Sequence, residues 1–156
     1  MARQDFQLSE GLAEFYGALM GDGCLSRYNC KGKKKPVEVV LLTGNLVNDM
    51  DYYINTIRPI AVKEFQINGY LQERKKYNCV RYMIFSKKVF RFFENLNFPI
   101  GKKRELAINP LILSNNKNAI ACVGGYLIRT GQFIGGTQNS IMVTRDFTIM
   151  QLYNLN

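Results

Sequence analysis

Histidine is absent from the chain. This excludes Ser-His-Asp triads, Cys-His nucleophile pairs, imidazole acid–base chemistry and His-ligated zinc. Any catalysis must use carboxylates, lysines, backbone groups or a metal bound by oxygen. No CxxC pair occurs among the four cysteines, and Cys24, Cys30, Cys79 and Cys122 are irregularly spaced. That argues against a zinc site and for free thiols in a reducing, cytoplasmic compartment. No apolar stretch approaches the roughly 18 residues a membrane-spanning helix needs. The N-terminus, MARQDFQLSEG, is polar and has no apolar signal-peptide segment. Acidic residues are few, with 12 Asp and Glu against 21 Lys and Arg, a net charge of +9.

What is present suffices for a folded core. Of 156 residues, 47% are hydrophobic and 12% aromatic, which sets the chain apart from disordered sequences and suits one domain or two very small ones. The cationic surplus favours a polyanionic partner, nucleic acid first and an anionic membrane surface second.

Ser9 is placed to cap a helix whose first turns carry Glu10 and Glu14, where acids suit the helix dipole. Leu12, Phe15, Tyr16 and Leu19 follow at helical spacing, and Gly21-Asp22-Gly23 stops the helix. Residues 24–29 and 37–43 read as two strands joined by the basic turn Lys31-Gly32-Lys33-Lys34-Lys35-Pro36, a hairpin. Residues 46–57 read as a helix ending near Arg58-Pro59. A second hairpin spans 65–74 and 79–85. Ser86 caps a third helix through Asn95, and Lys102-Lys103-Arg104 leads into a further one. Asn115 to Asn118 read as a loop and 119–127 as an apolar helix. Helix, hairpin, helix, hairpin, helix is an α+β layout, with an antiparallel sheet and helices on one face. The opposite face would hold Arg27, Arg74 and Arg81 or their strand neighbours, depending on register.

An internal echo accompanies this order. Residues 17–25, GALMGDGCL, and 125–133, GYLIRTGQF, match at an offset of 108. Gly17 pairs with Gly125, Gly23 with Gly131 and Leu25 with Phe133, but Thr130 stands where Asp22 would recur. Residues 132–135 and 140–144 are strand-like and 147–155 helix-like. Too few residues follow Gly131 for a second hairpin. Chance similarity between short Gly-containing helices is the competing explanation.

FYGALMGDG, preceded by LSEGLAEF, resembles the signature of LAGLIDADG homing endonucleases, a helix ending in Gly-Asp-Gly that leads into a strand. LLTGNLVNDMDYY resembles their second strand and following helix. FSKKVFRFFENL and NFPIGKKREL resemble their third-helix region and the basic link beyond it. The resemblance covers residues 8–109 well and 119–156 faintly. It implies an αββαββα unit with a saddle-like antiparallel sheet, a core over 1–109, and a C-terminal helix with a partial, degenerate second repeat over 110–156. The implied activity is that of an intron- or intein-associated DNA endonuclease with Mg²⁺ or another divalent cation, Ca²⁺ serving as a non-catalytic substitute. The alternative is a catalytically inactive nucleic-acid-binding protein on the same fold, an RNA-splicing maturase or a regulator. An unrelated RNA-binding structural protein is a third possibility.

Physical chemistry bears on the motif independently. Gly17 and Gly21, one turn apart, let another helix approach closely. Asp22 sits at the negative end of the helix dipole, unfavourably unless a cation binds. Two such helices side by side would bring two carboxylates together, a repulsion that divalent metals relieve. Asp22 as a mere turn residue between two glycines is the competing reading. The resemblance implies Asp22 as catalytic residue and metal ligand, with the Gly21 carbonyl as a second ligand. It also implies a helper Lys beyond the third helix, best matched by Lys102 and next by Lys103; the competing reading is a solvated basic link on phosphate. Where many members carry a polar residue at the end of the second strand, this chain has Gly44.

DNA recognition would fall to the sheet, because a two-stranded ribbon fits the major groove. Alternation places Ser26 and Tyr28 on the outward face if Leu25 faces the core, and Arg81 and Met83 there if Val80, Tyr82 and Ile84 face inward. Gln72 and Arg74 share a face; Arg74 and Arg81 suit guanine and Gln72 adenine. Lys31, Lys33, Lys34 and Lys35 suit phosphate. Since one chain supplies one convincing acid, the expected unit is a homodimer packed across Tyr16, Gly17, Met20 and Gly21 on double-stranded DNA. The rival arrangement puts the helix over 119–127 in the partner's place, leaving an inactive or nicking monomer.

Overall fold

The computed structural model describes residues 8–103, 106–113 and 115–130. Arg104 and the elements expected over 132–155 lie outside the described residues. Helix α1 (Glu10–Asp22) runs directly into β1 (Gly23–Tyr28), which turns into β2 (Val37–Asn45). The chain then continues through α2 (Met50–Tyr52), a π-helical turn (Tyr53–Ile57) and α3 (Arg58–Phe65). Strands β3 (Tyr70–Arg74) and β4 (Cys79–Ile84) form the second hairpin, followed by α4 (Lys87–Asn95), the short α5 (Pro110–Leu113) and α6 (Asn116–Thr130). The sheet is antiparallel throughout, in the order β1-β2-β4-β3. No helix of the described residues is long and apolar enough to cross a membrane.

Both predicted caps form. Ser9 Oγ accepts the Leu12 N–H at 3.1 Å and Ser86 Oγ accepts the Val89 N–H at 3.4 Å, each satisfying a donor that the helix start leaves open. The second helical region departs from the sequence reading. Asn45 Oδ1 accepts the N–H groups of Val47 and Asn48, so residues 46–49 form an Asx turn and the helix starts only at Met50. It also continues through Pro59 to Phe65. The π turn precedes the proline, which sits in the first positions of α3 where no helical N–H is required. Phe65 thus belongs to a helix, not to the third strand, and packs edge-on against Phe92 and Phe93. Asn116 to Asn118, expected in a loop, begin α6.

One face of the sheet closes the core. Leu25, Val40, Leu42, Val80, Tyr82 and Ile84 are buried with Phe15, Leu19, Phe90 and Phe93. Period-two alternation therefore turns Ser26, Tyr28, Thr43, Gln72, Arg74, Arg81 and Met83 to the opposite, outer face. Helices α1 and α6 form an intimate pair. A Cβ on Gly17 would lie 1.8 Å from the Cys122 carbonyl oxygen, so only glycine permits this approach. The expected dimer face is thereby covered from within the chain. Tyr16 and Met20 are wholly buried, Gly17 lies against Cys122 and Gly21 against the Arg129 stem. The arrangement is the rival one, with the C-terminal helix in the partner's place.

Candidate functional site

The site gathers where α1 ends. Asp22 is its last residue and Gly23 enters β1 at once, with extended geometry, its N–H bonded to the Leu19 carbonyl. A Cβ on Gly23 would fall 2.4 Å from Leu19 Cδ1, so this abrupt exit needs glycine. The Met20 and Gly21 carbonyls end α1 without helical partners. Lys103 supplies them: its Nζ donates to the oxygens of Met20 (2.8 Å) and Gly21 (2.6 Å), and at 3.3 Å to that of Leu19, which also accepts the Gly23 N–H. An ammonium there also complements the negative end of the dipole. Burial pulls Lys103 below the usual lysine range, against the opposing pull of Asp22 and Cys24. Lys102, the better sequence match, is exposed in the preceding bend; Lys103 reaches the site. In an irregular link no periodicity tells neighbouring lysines apart.

A residue absent from the sequence-based candidates completes the site. Arg129, in the last turn of α6, has a fully buried side chain. Its Nη2 donates to Asp22 Oδ2 at 3.0 Å and to the Thr43 carbonyl at 2.9 Å. Its Nη1 lies 2.8 Å from Asp49 Oδ1, and its guanidinium carbon is 4.9 Å from the Tyr53 ring centroid. Gly44 makes room for this group. A Cβ there would stand 2.6 Å from Arg129 Nη2, 2.6 Å from Asp49 Oδ2 and 2.8 Å from Tyr53 Oη. The missing side chain at the end of β2 is thus matched by one arriving from α6. Asp22 itself keeps 46% of its side-chain surface exposed.

Both oxygens expected to bind metal already face cations of the chain, Asp22 Oδ2 facing Arg129 and Gly21 O facing Lys103. Among the described residues no three carboxylate, thiol or imidazole side chains converge. This donor set does not fit a resident divalent ion.

The outer face of the sheet brings the other candidates together. Gln72, Arg81 and Thr43 stand opposite one another across β3, β4 and β2, one row over from Tyr70, Met83 and Leu41. Arg74 stacks on Tyr77 at 4.6 Å. Ser26 and Tyr28 lie on β1, and Lys31, Lys33, Lys34 and Lys35 are all exposed in the β1–β2 turn. Arg27 points the other way, paired with Glu38 at 2.9 Å and Glu94 at 3.3 Å and set over the Phe90 ring.

Neither a protein-family model nor a curated relative matches the chain by sequence. Solved structures do match. Mesophilic variants of the homing endonuclease I-DmoI superpose with a TM-score of 0.58 at 20% identity, over 79% of this chain and 58% of theirs. I-DmoI in complex with DNA and Ca gives 0.58 at 21% identity, over 79% and 58%. I-DmoI in complex with DNA and Mn gives 0.56 at 21%, over 77% and 62%. The chain therefore spans less than two thirds of the length of these neighbours. Its α+β architecture, with the Gly-Asp-Gly helix end leading into an antiparallel four-stranded sheet, is the fold of the LAGLIDADG homing endonucleases.

Proposed function

We propose that this chain binds double-stranded DNA as a monomer, through the outer face of its sheet, without cutting both strands. The observation that carries the reading is the division of charge. The cation positions around Asp22 are filled by Arg129 and Lys103, while the lysines of the basic turn are exposed and the outer-face arginines Arg74 and Arg81 are half-buried. The β1–β2 and β3–β4 hairpins are ribbons of the width a major groove admits. Arg74 and Arg81 suit the paired acceptors of guanine and Gln72 the donor–acceptor edge of adenine. Lys31, Lys33, Lys34 and Lys35 suit phosphates, which position without specifying. The net charge of +9 supplies long-range attraction. The homing-endonuclease neighbours solved with DNA support the choice of duplex.

A second reading is a metal-dependent endonuclease that nicks one strand. It is favoured by the half-exposed Asp22 carboxylate and the Lys103 ammonium meeting at one helix end. One experiment separates the readings. A target is selected from a randomised duplex library in EDTA, then presented on a supercoiled plasmid with Mg²⁺. Retained binding with intact plasmid is the expected result. Nicking that disappears in Asp22→Asn establishes the second reading, and selection of RNA over duplex in a mixed pool establishes an RNA-directed role.

A further inference from the structure

Arg129 is coordinated in the manner of a bound ion. Two carboxylates and one backbone carbonyl, from three different elements, converge on its guanidinium at 2.8 to 3.0 Å. Its side chain has no solvent exposure, so these contacts are screened less than surface pairs are, the one to Asp49 least because that carboxylate is mostly buried. The Tyr53 ring covers one face of the group, and the bare backbone of Gly44 leaves the space it occupies. Asp49 is held in turn, its Oδ2 accepting the Asn45 N–H. The charges also balance: Asp22 and Asp49 carry two negatives, Arg129 and Lys103 two positives.

We propose that the Arg129 guanidinium is the resident cation of a three-oxygen site formed by Asp22, Asp49 and the Thr43 carbonyl, and that it keeps divalent metal ions off Asp22. A divalent ion needs its oxygens at about 2.0–2.6 Å, so it cannot share this space with the guanidinium. Displacing the guanidinium would require breaking its contacts with Asp22, Asp49 and the Thr43 carbonyl, while its stem is held against Gly21 at the end of α1. The balanced charge leaves little field to draw a second cation in. The second half of the sequence echo thus contributes no acid; it contributes the positive charge that answers the acid of the first half. The assignment stands independently of what the sheet binds.

The test uses Arg129→Met, which keeps an aliphatic stem against Gly21 and removes the charge, so that two carboxylates and a carbonyl are left facing one another. Mn²⁺ binding is followed by the loss of the free-ion paramagnetic resonance signal, and thermal stability is followed with and without millimolar Mn²⁺. The native chain is expected to take up no Mn²⁺ at Asp22 and to keep its Tm. Arg129→Met is expected to melt lower without metal, to bind Mn²⁺ at least about tenfold more tightly than the native chain, and to regain Tm when metal stabilises the folded state alone. Adding Asp22→Asn should abolish the gain. If Arg129→Met does not fold without metal, Arg129→Lys, which keeps one charge but cannot bridge three oxygens, should show a smaller Mn²⁺-dependent rise. The absence of any Mn²⁺-dependent gain in both variants overturns the proposal. So does saturable Mn²⁺ binding by the native chain that Asp22→Asn removes.

Discussion

Gly17 and Gly125 occupy reciprocal positions in the α1–α6 pair. A Cβ on Gly17 would meet the Cys122 carbonyl oxygen at 1.8 Å, and a Cβ on Gly125 would meet the Glu14 carbonyl oxygen at 2.2 Å. Each obstructing carbonyl lies three residues before the other glycine, and one offset of 108 relates both pairs. The two helices therefore approach one another reciprocally, each glycine admitting the backbone of the other helix. Gly17→Ala or Gly125→Ala should each cost about 3 kcal/mol, because backbone and not a flexible side chain stands in the way. Gly124→Ala, with nothing near its Cβ, should instead gain about 1 kcal/mol from helix propensity. Urea unfolding of the three variants checks this, and equal effects at 124 and 125 would refute the close helix approach.

Because the chain supplies both helices of this pair, it should behave as a monomer. Light scattering on the free protein and on its complex with a selected duplex should give one chain, and one chain per site. A stable dimer whose mass is unaffected by Gly17→Ala would require a different interface from the one expected of the first motif helix.

The main elements are legible in the sequence because their signals are local: capping serines, the Gly-Asp-Gly stop, and two alternating strand pairs whose buried residues fix the outer face. Arg129 is not legible. Along the echo it aligns with Gly21, so nothing in the sequence marks it, and its partners Thr43, Asp49 and Tyr53 lie far back in the chain. Gly44 reads in the sequence as a missing polar side chain, and the space it leaves is what admits the guanidinium. Arg27, a possible outer-face residue by strand position, turns to the helical side, since position alone does not give the face without a buried neighbour to fix the register. The π turn conceals the continuation of the second helix through Pro59.

Arg81 and Arg27 should separate recognition from stability. Arg81→Ala is expected to relax base preference at one position by about 1–3 kcal/mol, with little change in unfolding. Arg27→Ala should leave base preference intact and lower Tm through the loss of its pairs with Glu38 and Glu94. Binding-site selection with each variant decides. A preference altered by Arg27→Ala and not by Arg81→Ala would invert the assignment of the two sheet faces.

Replacing Lys33, Lys34 and Lys35 together should flatten the dependence of log K on log salt by about 0.9 for each phosphate no longer neutralised, and should weaken all sequences alike. The lysines sit in an exposed turn, so Tm should hardly move. A change in base preference without a change in slope would place them on base edges.

Stability at high pH should report the α1–α6 interface. Burial pushes the Cys122 thiol from its ordinary 9.0 to about 12. Between those values the unfolded chain loses this proton and the folded chain keeps it, so unfolding is favoured as pH rises. The contribution of Cys122 is fully present below pH 9 and declines by about 1.4 kcal/mol per pH unit above it. Tyr16 and Tyr82, both raised by burial from 10.0 to about 12, act in the same direction but only above pH 10. Lys103, lowered by burial, acts in the opposite direction, since the unfolded chain then holds the extra proton and stability climbs toward the ordinary lysine value. Tyr82 and Lys103 are common to the native chain and to Cys122→Ala; Tyr16 is raised in part by Cys122 itself but contributes only above pH 10, so below that the difference between the two isolates the thiol. Across pH 8 to 10 the native curve should fall relative to that of Cys122→Ala, beginning near pH 9. Parallel curves would mean that the thiol ionises as readily in the fold as out of it, and that the helix interface is open to water at Cys122.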